Sequence, residues 1–213
     1  MAKTKFTDID SLSLQGINED AELIPLMTPE DEEEINREKL PENLPILPLR
    51  NTVLFPGVVI PITAGRDASI KLINEANNNE KIIGVVSQKD EEVENPGIKD
   101  INNIGVVARI LRVLKMPDGN TTVIIQGKKR FNISEITQEE PFLRANVEEI
   151  PETKPDVQNE EFGAIIDAIK DLALQIIKSS PNIPSEASFA IKNIESNSFL
   201  INFVSSNMNL SVE

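Results

Sequence analysis

The spacing of apolar residues changes once along this 213-residue chain, and that change sets its fold class. Before Pro151 the apolar residues form short β-branched runs between turn residues, a pattern typical of strands. Beyond it they step by three and four from Phe162 to Ile177, which predicts an amphipathic helix of about five turns. The sequence therefore predicts a β-rich part over 44–150 and a helical part over 151–213.

The strongest local signal is a long β-hairpin. Val106 to Lys115 alternates apolar and basic residues, Pro117-Asp118-Gly119 supplies a turn, and Thr121 to Ile125 returns the chain. Several further strands, one short helix and no β-α-β rhythm favour an α+β fold. In that fold an antiparallel sheet curls into a pseudo-barrel and is followed by a small helical bundle.

Single residues predict where elements begin and where strands are exposed. Pro48 and Pro61 have no N–H to donate to a ladder, so we expect them at edges, strand ends or bulges. Asp67 is predicted to cap a short helix. In the helical part, Ser185 is predicted to start the second helix, and Ser196 or Asn197 the third.

The first 43 residues are expected to be an acidic, largely disordered extension. They hold 12 acidic and 4 basic residues, including the run Glu30 to Glu34, and their self-repulsion opposes compaction. The alternative is a segment that docks through the apolar island Leu23 to Met27. At the other end, Ser211-Val212-Glu213 resembles a helix start, which predicts a helical part that is truncated.

Composition excludes several kinds of chemistry. The chain has no histidine and no cysteine, so Ser-His-Asp and Cys-His nucleophiles, common zinc sites and disulfides are impossible. The nearest approach to a phosphate-binding loop, at Gly127-Lys128, lacks the first glycine and the final hydroxyl. Composition leaves a pair of carboxylates or a Ser-Lys dyad open, but no motif indicates either. We therefore predict no catalytic, cofactor or metal site in this chain. The net charge of −14 disfavours duplex DNA and anionic membranes. With no apolar leader and no apolar stretch long enough to span a membrane, the expected compartment is the cytoplasm.

An apolar loop is the first candidate binding surface. If Leu54-Phe55-Pro56-Gly57-Val58 tips a hairpin, its side chains form an exposed apolar patch, which marks an interaction surface. The alternative is burial beneath the helix predicted over 68–76. The predicted substrate-contacting residues are Leu54, Phe55, Pro56 and Val58 in this loop, with Met116 and Pro117 in the hairpin turn.

Two basic clusters are the second candidate surface. One comprises Arg109, Arg112 and Lys115 on the first hairpin strand, and the other is Lys128-Lys129-Arg130 after the second. The simplest interpretation is solvated hairpin surface. A nucleic-acid face is the alternative, although aromatic residues make up only 4 % of the chain and stacking platforms are lacking. A protein partner is the third possibility.

An ordered series of short motifs runs through the chain. It opens with Leu47 to Gly57, which reads Leu-Pro-Leu-Arg-Asn-Thr-Val-Leu-Phe-Pro-Gly. It continues through Pro61, Gly65-Arg66, Val86 to Lys89, Pro96-Gly97, Gly105 to Ile110, Lys115 to Gly119, Val123 to Arg130, Ile183 to Glu186 and Phe199 to Leu210. Taken together, these motifs resemble the N-terminal domain of the Lon proteases over about residues 44–213.

The resemblance implies a PUA-like pseudo-barrel with helices, which serves substrate recognition and assembly. The parent enzymes are cytoplasmic homo-hexamers, ATP-dependent serine proteases that degrade misfolded and regulatory proteins. Their ATP- and magnesium-dependent AAA+ module and their Ser-Lys protease module lie outside the matching region. The expected partners are therefore misfolded or unfolded proteins, bound without catalysis and without a cofactor in this chain. The alternative is a free-standing PUA-like module that binds RNA through the two basic clusters.

Overall fold

A computed structural model describes residues 27–116, 120–153, 160–180 and 186–208. The predicted turn residues Pro117 to Gly119, most of the Leu23–Met27 island, Ser185 and the final Ser211 to Glu213 lie outside the described residues. In chain order the elements are α1 (Pro29–Arg37), β1 (Asn43–Leu49), β2 (Val59–Ala64), α2 (Asp67–Asn78), β3 (Ile82–Gln88), a 3-10 turn (Ile98–Asp100), β4 (Ile101–Lys115), β5 (Thr121–Gln138), β6 (Arg144–Glu149), α3 (Glu160–Ser179), α4 (Glu186–Asn193) and α5 (Asn197–Ser206).

The six strands form one curled sheet in the order β2-β5-β4-β3-β1-β6, and β6 pairs again with β5. That last pairing closes β5, β4, β3, β1 and β6 into a ring, with β2 attached outside it along the first half of β5. β5 can serve three neighbours because it is 18 residues long and its pairings are interrupted by register shifts. Such bulges bend a strand and let a sheet close. The predicted α+β pseudo-barrel is confirmed.

One strand pair departs from the antiparallel prediction. β1 and β3 run parallel, with Ile46 opposite Gly84 and Leu49 opposite Ser87. Parallel neighbours need a long crossover, and β2 with α2 supplies it here. The sequence pattern did not indicate this crossover. Helix α2 follows β2, which pairs with β5, and does not follow β1 directly.

An apolar cluster packs on each face of the curled sheet, because alternate residues of β1, β3 and β4 belong to different clusters. On one face, Leu72 and Ile73 of α2 pack against residues of β1, β3, β4 and β5. On the other face lies the fully buried Phe131. A Cβ on Gly105 would lie 2.6 Å from Cζ of Phe131, so the glycine makes room for the ring.

The predictions from single residues have mixed outcomes. Pro61 lies on β2, which pairs only with β5, and Pro48 lies beyond the stretch of β1 that pairs with β6, so both prolines occupy edges as predicted. Ser196 caps α5 by accepting a 3.1 Å hydrogen bond from the Phe199 amide. Asp67 is not a cap: Arg66 is the N-cap of α2, and no side chain caps that helix.

Helices α3, α4 and α5 confirm the predicted change of periodicity and share a third apolar cluster. Their buried residues include Ile166, Ile191 and Phe199, and the loop residues Phe55 and Val58 pack with them. The helical part therefore packs against the chain segment that enters β2. No helix in the described ranges is long and apolar enough to cross a membrane.

Helix α1 lies within the segment expected to be an extension. Thr28 and Asp31 form a reciprocal capping box at its start. Hydrogen bonds from the Thr28 amide and hydroxyl lower the pKa of the Asp31 carboxyl. Met27, just before the helix, is buried in the third cluster, and the Ser196 hydroxyl donates to the Glu32 carboxylate. Helix α1 is thereby joined to the start of α5.

Candidate functional site

The predicted binding loop lies where the barrel meets the helices. Leu54 is buried in the first cluster beside α2, and Val58 is buried in the third. Phe55 and Pro56 are half-buried, and Phe55 packs against the helical part rather than beneath α2. The loop therefore offers part of Phe55 and Pro56 to solvent, while Leu54 and Val58 hold it in place.

Gly127 of β5 fixes this loop to the barrel. The Gly57 amide donates to the Gly127 carbonyl and the Gly127 amide donates to the Val58 carbonyl, each at 2.9 Å. A Cβ on Gly127 would lie 2.2 Å from the Phe55 carbonyl oxygen, so no other residue fits. Gly57 itself has φ +80°, the left-handed region that glycine adopts without strain.

The three residues after Gly127 fasten the helices. Lys128 is buried and its ammonium pairs with Glu38, which follows α1. Lys129 donates to the carbonyls of Asn36 at 2.9 Å and Glu38 at 2.8 Å. Arg130 donates at 2.8 Å to Asn202 of α5. We call Gly127–Arg130 the β5 node.

The buried Asn202 completes this connection. Its amide nitrogen donates at 3.2 Å to the Pro56 carbonyl, while its oxygen accepts from Arg130. A register shift allows the geometry: Val106 to Ala108 on β4 faces Arg130 to Gly127 on β5, so β5 carries one extra residue. A bulge of this kind re-aims consecutive side chains, and each then reaches a different neighbour.

The second basic cluster was therefore misinterpreted as solvated surface. Lys128 is buried, and Lys129 and Arg130 donate their N–H groups in hydrogen bonds to other parts of the chain. These hydrogen bonds within the chain leave fewer of the cluster's donors for a nucleic acid. The first cluster, Arg109, Arg112 and Lys115, is exposed on β4 as predicted. Nothing in the described structure favours RNA as the partner.

An exposed apolar patch adjoins the loop and was missed in the sequence. Val53 is 42 % and Ile104 60 % exposed, and both line a shallow groove of about 90 Å³ that Leu54 and Arg130 also border. We call it the Val53–Ile104 patch. Ile104 shares the strand alternation of the buried Val106 and Ala108, so its exposure depends on what packs over the start of β4 and not on the sequence pattern.

Two other apolar surfaces are open. On the hairpin, Leu111 and Leu114 are exposed and Met116 is half-buried; Pro117 lies outside the described residues. On α3, the face that carries Ile165, Leu172 and Ile176 is exposed, although its neighbouring face packs in the third cluster. These three residues recur at helical spacing, so they form one stripe, which we call the α3 stripe.

A closed pseudo-barrel fastened to helices, with apolar side chains presented at its surface, defines a binding module. Comparison with known families gives it a more specific place. Residues 43–213 match the profile of the ATP-dependent protease La (LON) substrate-binding domain. The chain belongs to this family of substrate-binding domains.

Curated relatives agree with the family match. The chain is 70 % identical over its whole length to a Lon protease of Flavobacterium johnsoniae, of which it covers 26 %. Over 90 % of its length it is 49 % identical to a Lon protease of Cytophaga hutchinsonii, of which it covers 24 %. The chain thus spans about a quarter of the length of these relatives.

Solved structures show the same fold. The N-terminal domain of a Mycobacterium avium complex Lon protease superimposes with a TM-score of 0.63 at 23 % identity, covering 79 % of this chain and 84 % of that one. A Lon N-terminal domain protein from Xanthomonas campestris gives 0.50 at 17 % identity, covering 76 % and 95 %. At these identities the likeness establishes the architecture alone.

The β5 node yields a stability prediction. The Lys128 side chain is 7 % and that of Glu38 42 % exposed. Removing the carboxylate therefore leaves a buried ammonium without its partner, whereas removing the ammonium leaves a carboxylate that water can hydrate. We expect Glu38→Gln to lower the free energy of unfolding by about 1–3 kcal/mol. Lys128→Met, which keeps the apolar stem, should change it by less than about 1 kcal/mol. Urea unfolding followed by circular dichroism measures both.

The control for this pair is Glu33→Gln, which breaks the exposed Glu33–Arg37 pair of α1. It should cost less than about 0.5 kcal/mol. Equal losses for Glu38→Gln and Glu33→Gln would show that the node does not depend on this buried pair.

Proposed function

We propose that this chain is the client-capturing domain of a longer ATP-dependent serine protease that degrades misfolded and regulatory proteins. The family match over residues 43–213 is the observation that carries the proposal. Support comes from two Lon proteases, each about four times as long as the region it shares with this chain. The parent would be a cytoplasmic homo-hexamer. Its ATP, magnesium and Ser-Lys dyad would belong to residues outside this chain.

The proposed act of this chain is to bind apolar segments that an unfolded client exposes. Water released from apolar surface supplies the driving force. Weak binding suffices, because a tethered client reaches a high local concentration at the motor that pulls it. Such a module needs exposed apolar side chains on a rigid support, and the barrel provides them beside the β5 node.

The contact surface we propose combines the predicted loop with the adjoining patch. Val53 and Ile104 supply exposed apolar area, and Phe55 and Pro56 add their exposed parts. Leu54 and Val58 stay in the proposal as the buried residues that set the loop's shape. Met116 and Pro117 at the hairpin turn remain a second, separate contact.

Loss of the Val53–Ile104 patch should weaken client binding. We expect the double variant Val53→Ser and Ile104→Thr to raise the Kd for fluorescein-labelled casein roughly five- to thirty-fold, because two half-exposed aliphatic side chains no longer bury apolar area. Fluorescence anisotropy with the whole 213-residue chain measures it.

Two control variants show whether a loss of binding is specific to the Val53–Ile104 patch. Ile98→Thr removes an exposed isoleucine from the 3-10 turn before β4, 43 % exposed against 60 % for Ile104, and should leave binding unchanged. If Leu111→Ser with Leu114→Ser abolishes binding while the patch variant binds normally, clients are captured by the hairpin and the patch proposal fails. Absence of casein binding by the unmodified chain would contradict the capture function.

We also propose that the helical part is completed by residues that follow this chain in the parent. The support is the α3 stripe, because a helix that is apolar on both faces is normally buried on both. In the isolated chain Leu172 is 58 % exposed, and the described residues leave it uncovered.

Thiol labelling tests this completion, since the chain has no native cysteine. Leu172→Cys should react with maleimide at the rate of an exposed thiol in this chain. In the longer parent its reaction rate should be at least about tenfold lower, since a packed thiol reacts only during local opening. Asp167→Cys, on a polar face of α3, should react fast in both, and an unchanged rate at position 172 would refute the completion.

A further inference from the structure

The ring of strand pairings is closed, but two unpaired strand edges flank a gap beside it. β6 pairs with β1 through Asn43 to Pro45, and beyond Ile46 that edge of β1 has no strand beside it in the described chain. β2, at the end of the strand order, likewise leaves one edge unpaired. Between these two edges lies a groove of about 440 Å³, lined by Leu47, Pro48, Leu49, Arg50, Thr52, Pro61, Ile62, Thr63, Ala64, Gly65, Arg66 and Ser69. We call it the seam.

The seam is poorly suited to binding by added strands. Pro48 on β1 and Pro61 on β2 both line it, and neither has an N–H to donate. A continuous ladder with an incoming strand is therefore interrupted on both edges. A ligand of this groove must be recognised mainly by side chains and by the start of α2.

Every charged residue that lines the seam is an arginine. Arg66 donates at 2.5 Å to the amide oxygen of Gln88, and Arg50 donates at 3.4 Å to the Val93 carbonyl. Gln88 is itself buried and held by hydrogen bonds to the Asp90 and Val93 carbonyls. Neither arginine ion-pairs with a carboxylate in the part of the chain that the structure describes.

Two positive charges without an ion-pair partner among the described residues thus line one groove of a chain whose net charge is −14. Partial burial, and then the charge of Arg50, lower the pKa of Arg66 below its usual value. Like charges that repel across a groove are stabilised by an anion between them. Guanidinium groups bind carboxylates with paired, charge-assisted hydrogen bonds.

The start of α2 adds donors to the same place. No side chain caps this 12-residue helix, so the amides of its first turn, Asp67 to Ser69, are open to an anion. Ser69 lines the seam, and its hydroxyl bonds to none of the described residues. Because no described side chain buries a polar atom without a partner, this hydroxyl is open to the groove and can donate to an anion there.

The opposite side of Arg66 differs in charge. A separate cavity of about 270 Å³ shares Pro48, Arg66 and Ser69 with the seam but is also lined by Glu139 and Glu140. Those carboxylates repel an anion there. The favourable position is the seam side, between Arg50 and Arg66.

We propose that the seam binds a carboxylate of an extended client segment, held by Arg50, Arg66, the Ser69 hydroxyl and the first amides of α2. The neighbouring client side chains would lie against Pro61 and Ile62. This inference rests on the proposed capture function and names a chemical feature of the clients. The carboxylate can be a chain terminus or an aspartate or glutamate side chain.

Three short labelled peptides of leucine, valine and serine distinguish the sources. One has a free C-terminal carboxylate, one is C-terminally amidated, and one is amidated with a single internal aspartate. Anisotropy with the whole chain should show binding of the first, the third or both, and markedly weaker binding of the plain amide. Arg50→Gln with Arg66→Gln should weaken carboxylate binding about tenfold or more. Ser69→Ala, which favours the helix, should weaken it several-fold.

The control is Arg109→Gln with Arg112→Gln, an equal charge change at exposed sites on β4, which should leave peptide binding unchanged. Equal binding of all three peptides, or equal binding by the seam variant and the unmodified chain, would overturn the proposal. Failure to bind any peptide while casein still binds would overturn the seam and leave the capture function standing. Failure to bind casein as well would remove both.

Discussion

Four consecutive residues of β5 determine how this molecule is assembled. At the β5 node, the backbone of Gly127 forms hydrogen bonds with the loop that enters β2. Lys128 and Lys129 bind the end of α1, and Arg130 donates to Asn202 of α5. The extra residue of the bulge makes this possible, because regular alternation would send every second side chain to one face. A side chain at Gly127 or an unpaired Lys128 would disturb all of these contacts.

Because the node uses its donors internally, the remaining surfaces are the ones left for clients. In the described chain β2 and the last residues of β1 each leave an edge unpaired, and a proline on each discourages edge-to-edge pairing. The two arginines of the seam between them form no ion pair with the described residues. The Val53–Ile104 patch presents exposed apolar area beside the loop. The two proposed contacts, one apolar and one for a carboxylate, thereby lie on one barrel.

Local patterns in the sequence predicted much of the fold. The hairpin of β4 and β5, the cap at Ser196 and the edge positions of Pro48 and Pro61 follow from backbone chemistry within a few residues. The parallel pairing of β1 with β3 does not, since it depends on a crossover spread over two other elements. The burial of Lys128 was invisible for a similar reason: its partner Glu38 lies 90 residues earlier. Of the proposed site, the loop could be named from its apolar residues, whereas the exposure of Ile104 depends on tertiary packing.

Backbone hydrogen exchange of the 213-residue chain, with and without saturating casein, tests most directly whether clients bind the barrel beside the node. Client binding should slow exchange in Arg50 to Ala64 and around Ile104. The node, already hydrogen-bonded, should exchange slowly in both states. Unchanged exchange in those segments, with new protection confined to the exposed Arg109 to Lys115 strand or to α3, would contradict client binding beside the node.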